Sequence, residues 1–117
     1  MTATNPSEID AAELALTLLD RLPEDGAPER IDHALGVLAD RRRRLTVQVV
    51  RDHDEPLALP DVADEVAVRE RDRPLPEISA ETVTEVYVSI YHDHLPRLVG
   101  IGLLAYDQER DMVHPNY

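Results

Sequence analysis

Among its 117 residues the chain has no cysteine, phenylalanine, tryptophan or lysine, and only four glycines. Each absence excludes something. Without cysteine there are no disulfides, no thiolate metal sites and no thiol nucleophile. With Tyr87, Tyr91, Tyr106 and Tyr117 as the only aromatics, the core must be built from aliphatic side chains. No apolar run approaches the roughly 20 residues of a membrane-spanning helix. The polar, acidic N-terminus does not follow a signal-peptide pattern either. The expectation is a cytoplasmic protein with no membrane partner. Glycine-rich phosphate loops, G-x-S-x-G and H-E-x-x-H are also missing, so neither an enzyme nor a cofactor is expected.

What is abundant is negative charge. Twenty-four acidic residues face twelve basic ones, all arginine, for a net charge of −12. A lysine-free acidic surface suits a halophilic cytoplasm with molar internal salt; a GC-rich genome, which favours arginine codons, yields the same composition. Such a charge ordinarily argues against nucleic acid as a partner. At about 1 M salt, however, the Debye length is roughly 3 Å, and only local groups matter. A chain of this length forms one domain and can bury about two thirds of its unfolded surface.

Residues 1–6 are expected to be disordered, and 7–26 to form an N-terminal helix capped by Ser7. Ile9, Ala12, Leu16 and Leu19 share one face of that helix, more apolar surface than a lone terminal helix exposes. It must pack on the domain or on a second subunit, which makes a homodimer the expected assembly. Residues 27–117 form the domain itself. Pro28 suits the first turn of a helix whose stripe is Ile31, Ala34, Leu35 and Leu38. Asp40 is the N-cap of Arg41 to Arg51, with Thr46, Val47 and Val50 inward; one bent helix over both segments is equally open. Leu57 to Leu59 is short enough to be a single strand. Pro60 opens a helix with Val62, Ala63 and Val66 inward. Pro74 and Pro76 exclude regular helix from the charged stretch after it.

The most informative stretch runs from Glu81 to Val113. Ser79 caps a long helix, and 100° steps from Leu95 place Thr84, Tyr87, Val88, Tyr91, Leu98 and Val99 on its buried side. Pro96 must kink this helix or open the turn before it. Gly100 and Gly102 stop it with positive φ, and Leu103–Tyr106 and Met112–Val113 form a hairpin around Asp107 to Arg110.

His94-Leu-Pro-Arg-Leu-Val-Gly-Ile-Gly-Leu-Leu-Ala-Tyr-Asp107 resembles the HLxxLxxAGLVxYD ending of archaeal and bacterial winged helix-turn-helix regulators. With Ala39-Asp-Arg-Arg-Arg-Arg-Leu45 and Leu59-Pro-Asp-Val-Ala-Asp-Glu-Val66, the chain is similar to a haloarchaeal winged-helix family, DUF7344, over roughly Ile31 to Val113. The resemblance implies a mostly α domain with a small β-hairpin wing: a winged helix-turn-helix with an additional N-terminal helix. It also implies a role in transcriptional control. Members of this family often carry glycine near the position of Asp111.

On that reading the partner is double-stranded DNA. The helix side opposite Leu95 carries Thr82, Val86, Ser89, Ile90, Asp93 and Arg97, with Val83, Glu85 and His92 at its margins. Ser89, His92 and Arg97 are side chains that can meet base edges. Arg97 equally suits an ion pair with Asp93, four residues earlier. Val83, Val86 and Ile90 suit thymine methyls, or packing on the N-terminal helix or a partner subunit. Arg41, Arg42, Arg43 and Arg44 form the one basic cluster. Successive helical residues sweep around the axis, so some can hold phosphate while others pair inside the fold. Arg110 in the wing is a phosphate contact or part of a solvated turn. His92 and His94 point about 200° apart on a helix, so they form no metal pair, and no metal is expected. The leading expectation is a DNA-binding transcriptional regulator. Its rival is a winged-helix protein–protein interaction or dimerisation module that does not bind DNA.

Overall fold

The computed structural model describes residues 28–116 together with Leu16 and Asp20. Helix α1 (Pro28–Leu38) and helix α2 (Arg41–Arg51) are separate. Asp40 divides them: its extended backbone breaks the helix, and its carboxylate accepts from the Arg43 amide at 3.1 Å. That side chain satisfies an amide that no preceding turn can reach. On α1, Ala34, Val37 and Leu38 are buried, whereas Leu35, expected in the stripe, is exposed. Helix α2 runs through the middle of the fold, with every residue from Leu45 to Val50 buried. Thr46 tolerates this position because its hydroxyl donates to the Arg42 carbonyl at 2.7 Å.

Strand β1 (Leu57–Ala58) leads directly into helix α3 (Leu59–Arg71), which has Pro60 in its first turn and Leu59, Val62, Ala63, Val66 and Ala67 in the core. Asp72, in the left-handed region at φ +52°, ends it. A 3₁₀ turn at Leu75–Glu77 follows. Ser79 then caps helix α4 (Ala80–Ser89) by accepting from the Thr82 amide at 3.1 Å.

Helix α4 continues through a π-helical turn (Ile90–His94) into helix α5 (Leu95–Gly100). The Leu95 amide donates to the Ile90 carbonyl, five residues back. Pro96 explains the wider turn, because in an α-helix its ring would strike the His92 carbonyl. The π turn also corrects the expected helix phase. Five residues from Ile90 to Leu95 complete one turn, so every residue before it rotates by one position. The buried stripe is therefore Val86, Ile90, Leu95 and Leu98, with Val83 and Tyr87 packed beside it. Thr84, Val88 and Val99, expected inside, are exposed.

Of the two glycines, only Gly102 takes positive φ, at +81°; Gly100 stays helical. Strands β2 (Leu104–Asp107) and β3 (Met112–Pro115) form the hairpin, with Tyr106 opposite Val113. Strand β1 pairs antiparallel with β3, Leu57 opposite Val113, giving the order β1–β3–β2. At the hairpin tip the Asp107 carboxylate accepts from the amides of Glu109 and Arg110. Asp111 takes the left-handed position at φ +54° where glycine is easiest. Its carboxylate compensates by accepting from the Tyr106 hydroxyl at 2.6 Å, a bond that raises the phenol's pKa well above its usual value. The chain is thus mostly helical with a small three-stranded antiparallel sheet, compatible with a helical domain carrying a β-wing. No described helix is long and apolar enough to cross a membrane. The expected N-terminal helix, with Ile9 and Leu19, falls outside the described residues; Leu16 is helical and 64% exposed.

Candidate interaction face

The arginine cluster opens α2, and folding consumes most of it. Arg42 is the hub. Its guanidinium donates to both oxygens of Glu70 on α3, at 2.6 and 2.9 Å, and to Glu85 on α4 at 3.0 Å. It also donates to the Ser89 hydroxyl at 2.9 Å. The Glu70 hydrogen bonds, followed by those of Glu85, push the Arg42 pKa up against the opposing effect of burial. With Arg42 only 20% exposed and Glu70 13%, this two-pronged pair ties α2 to α3 away from bulk water, while Ser89 and the more exposed Glu85 bring in α4. Ser89, expected at a base edge, is an acceptor inside this network.

Arg43 turns the other way. Its Nε donates to Nδ1 of His94 at 3.0 Å, Nη1 to the Val37 carbonyl at 3.2 Å, and Nη2 lies 3.6 Å from Asp93. His94 is buried, and it can accept only as the neutral ring protonated on Nε2. Burial lowers its pKa; Asp40 and Asp93 oppose that shift and Arg43 and Arg42 reinforce it. Arg44 donates to the Leu38 carbonyl at 2.8 Å, closing the C-terminus of α1. Only Arg41 of the four is exposed without a hydrogen bond or ion pair among the described residues. Arg42, Arg43 and Arg44 thus direct guanidinium donors to carboxylates, a hydroxyl, a ring nitrogen or helix-end carbonyls inside the fold, while the Nε of Arg44 is buried without a partner among the described residues.

On the long helix, Arg97 donates to Asp93 at 2.7 Å, the ion-pair alternative, and this hydrogen bond holds the Asp93 carboxyl below its usual range. His92 is exposed and packs edge-on to Tyr91, with ring centroids 4.9 Å apart. Arg110 is 83% exposed and lies 3.8 Å from Asp107. Val86 and Ile90 are fully buried in the domain's own core, and Val83 is half-buried against it. Val86 and Ile90 thus face the domain's own core, while Val83 keeps part of its surface open, a consequence of the shifted helix phase.

The outward side of α4 through α5 is instead Glu81, Thr84, Glu85, Val88, His92, Pro96 and Arg97, all exposed. A shallow groove of about 560 Å³ lies along its first half, lined by Ala80, Glu81, Thr84, Glu85, Val88 and Ser89. Val88 stands 45% exposed in it. The side of the helix that actually faces outward therefore presents two carboxylates, Glu81 and Glu85, and the apolar Val88 along its first half. Arg71, the last residue of α3, and Arg73, just beyond it, are exposed and make no side-chain bond among the described residues. Sequence reading passed over them, since a charged stretch running into Pro74 and Pro76 looks like solvated chain.

These features describe a small helical domain fastened by internal arginines, with one exposed helix face between a charged connection and a hairpin. The chain belongs to the DUF7344 family, a domain of unknown function, which it matches over residues 35–114. Neither a curated protein nor a solved structure matches it.

Proposed function

We propose that the chain is a winged helix-turn-helix domain that acts by protein contact, as an interaction or dimerisation module, with the outer face of α4 as its contact surface. The helix order, the strand order β1–β3–β2 and the hairpin support the winged-helix reading. The observation that carries the functional reading is the disposition of charge. Arg42, Arg43 and Arg44 point into the fold, Arg97 is tied to Asp93, and the exposed helix face opens with Glu81, Thr84, Glu85 and Val88. A duplex approaching that face meets carboxylates that repel its backbone, whereas a protein surface finds an apolar centre with a charged rim.

A second reading, DNA binding in transcriptional control, rests on a different observation. Arg41, Arg71 and Arg73 have no partner among the described residues, and Arg110 stands far into solvent. These groups suit contacts to the phosphate backbone but carry no base readout. Both readings fit a halophilic cytoplasm, where salt mutes the net charge.

A photoreactive amino acid in place of Thr84, on the exposed face, separates the two in cells of the source organism. The expected adducts are to protein. Adducts to nucleic acid, lost when Arg71 and Arg73 are replaced by alanine, would move the assignment to the second reading.

A further inference from the structure

His94 is the one buried histidine among the described residues, and it closes the π turn against the start of α2. Its Nδ1 accepts from Arg43 Nε at 3.0 Å, and the same atom lies 3.6 Å from Asp93 Oδ2. That carboxylate oxygen is also 3.6 Å from Arg43 Nη2, while Oδ1 accepts from Arg97 Nε at 2.7 Å on the exposed side. Arg43, His94, Asp93 and Arg97 thus make one chain of contacts from the interior to the outer face of the long helix.

We infer that His94 is a proton-operated latch: a proton on Nδ1 detaches Arg43 and draws Asp93 inward, away from Arg97. The latch is independent of which partner the outer face takes. A neutral imidazole has a single ring nitrogen free to accept, and in the protonated ring both nitrogens are donors. Protonated at Nδ1, His94 turns a donor toward the donor Arg43 Nε and sets a positive ring beside a guanidinium. The bond becomes a repulsion, and Asp93 Oδ2 is the acceptor at hand for the new N–H. Arg43 Nη1 is bonded to the Val37 carbonyl at the end of α1, so its release reaches that joint as well. Asp93, its charge now shared with the ring, holds the exposed Arg97 less firmly. The rearrangement falls in a π turn, a local widening of the kind that recurs at functional sites in helices.

The charged groups facing the ring are Arg43 and Arg42 on α2, Asp40 at the junction before it, and Asp93 on the π turn itself; α5 acts through Arg97 on Asp93. Burial and the two arginines oppose the proton, and the two carboxylates favour it. Burial is the largest of these effects, so the latch is shut at neutral pH and opens only below the usual histidine value.

Nuclear magnetic resonance in molar KCl, following the His94 ring and the Nε–H groups of Arg43 and Arg97 from neutral pH into acid, tests the latch. One shared midpoint is expected. As His94 gains its proton, Arg43 Nε–H should exchange about tenfold faster relative to the exposed Arg110, as fits the loss of one hydrogen bond to a charged group. Arg97 Nε–H should shift toward the position of a free guanidinium, while the α2 amides from Leu45 to Val50 stay protected. His94→Gln supplies an acceptor that does not titrate, so it should abolish this midpoint at both arginines. Asp93→Asn, which removes a carboxylate that favours the proton, should move the His94 midpoint lower. The latch is overturned if His94 titrates and leaves either guanidinium unmoved, or if the midpoint at the arginines persists in His94→Gln. An Asp93→Asn midpoint at or above that of the wild type overturns it too. So does loss of the α2 amides at the wild-type midpoint, since the proton would then unfold the domain rather than open one joint.

Discussion

The two sides of the helix from Ala80 to Gly100 are made from similar residue types and do opposite work. Inward, Val86, Ile90, Leu95 and Leu98 are buried. Outward, Val88 stands exposed among Glu81, Glu85 and His92. Valine occurs on both sides, so hydrophobicity alone does not separate them; the π turn before Pro96 does. The same contrast runs through the arginines. Arg42 and Arg43 are drawn into networks that join helices, while Arg71 and Arg73 face solvent. In a chain this acidic, carboxylates are available at nearly every fold contact. Arginines on a packed helix therefore become fasteners before they can become ligands for a partner.

The largest effect should come from cutting into the inward side. Ile90→Ala is expected to cost about 2–5 kcal/mol, read by thermal or chemical unfolding, because the site is fully buried and refills only partly. Val88→Ser on the outward side should stay within about 0.5 kcal/mol. Equal losses at the two positions would break the comparison.

Next is the hub. Arg42→Ala leaves Glu70, 13% exposed, without its cation, and should cost about 3 kcal/mol. Arg71→Ala, with no described partner to lose, should leave unfolding unchanged. A hub substitution as silent as Arg71→Ala would mean that the network is not a fastener.

The third effect depends on pH. The folded state holds His94 neutral, with its pKa lowered by burial, while in the unfolded chain it titrates near 6.5. The unfolded state therefore binds more protons as pH falls below about 6.5. This contribution to stability is intact above that value. It is lost progressively as pH drops from there toward the lower folded pKa. His94→Gln should flatten that part of the stability curve. The smallest effect is expected for Arg97→Ala, whose exposed pair with Asp93 should leave the unfolding midpoint unmoved.

Local chemistry made much of the fold legible in the sequence. Asp40 and Ser79 are caps because their oxygens reach helix amides, and Leu57–Ala58 pairs with the hairpin as its length suggested. Pro96 even announced an opened turn. What uniform 100° steps cannot carry is the consequence of that turn, a rotation of the preceding helix by one residue, which exchanged Val88 for Val86 and Ile90. The fate of Arg42, Arg43 and Arg44 was hidden differently. Their partners Glu70, Glu85 and His94 lie far along the chain, and only the packing of α2 against α3 and the long helix brings them within reach.

The most direct test of the central claim, that folding withdraws the cations and leaves a face for protein, is a titration of labelled genomic duplex DNA with wild-type protein in molar KCl, followed by fluorescence anisotropy. No saturable change is expected. Tight, saturable binding that survives Arg71→Ala and Arg73→Ala but is lost on Val88→Glu or Thr84→Glu would contradict it, because the helix face assigned here to protein would then be reading DNA.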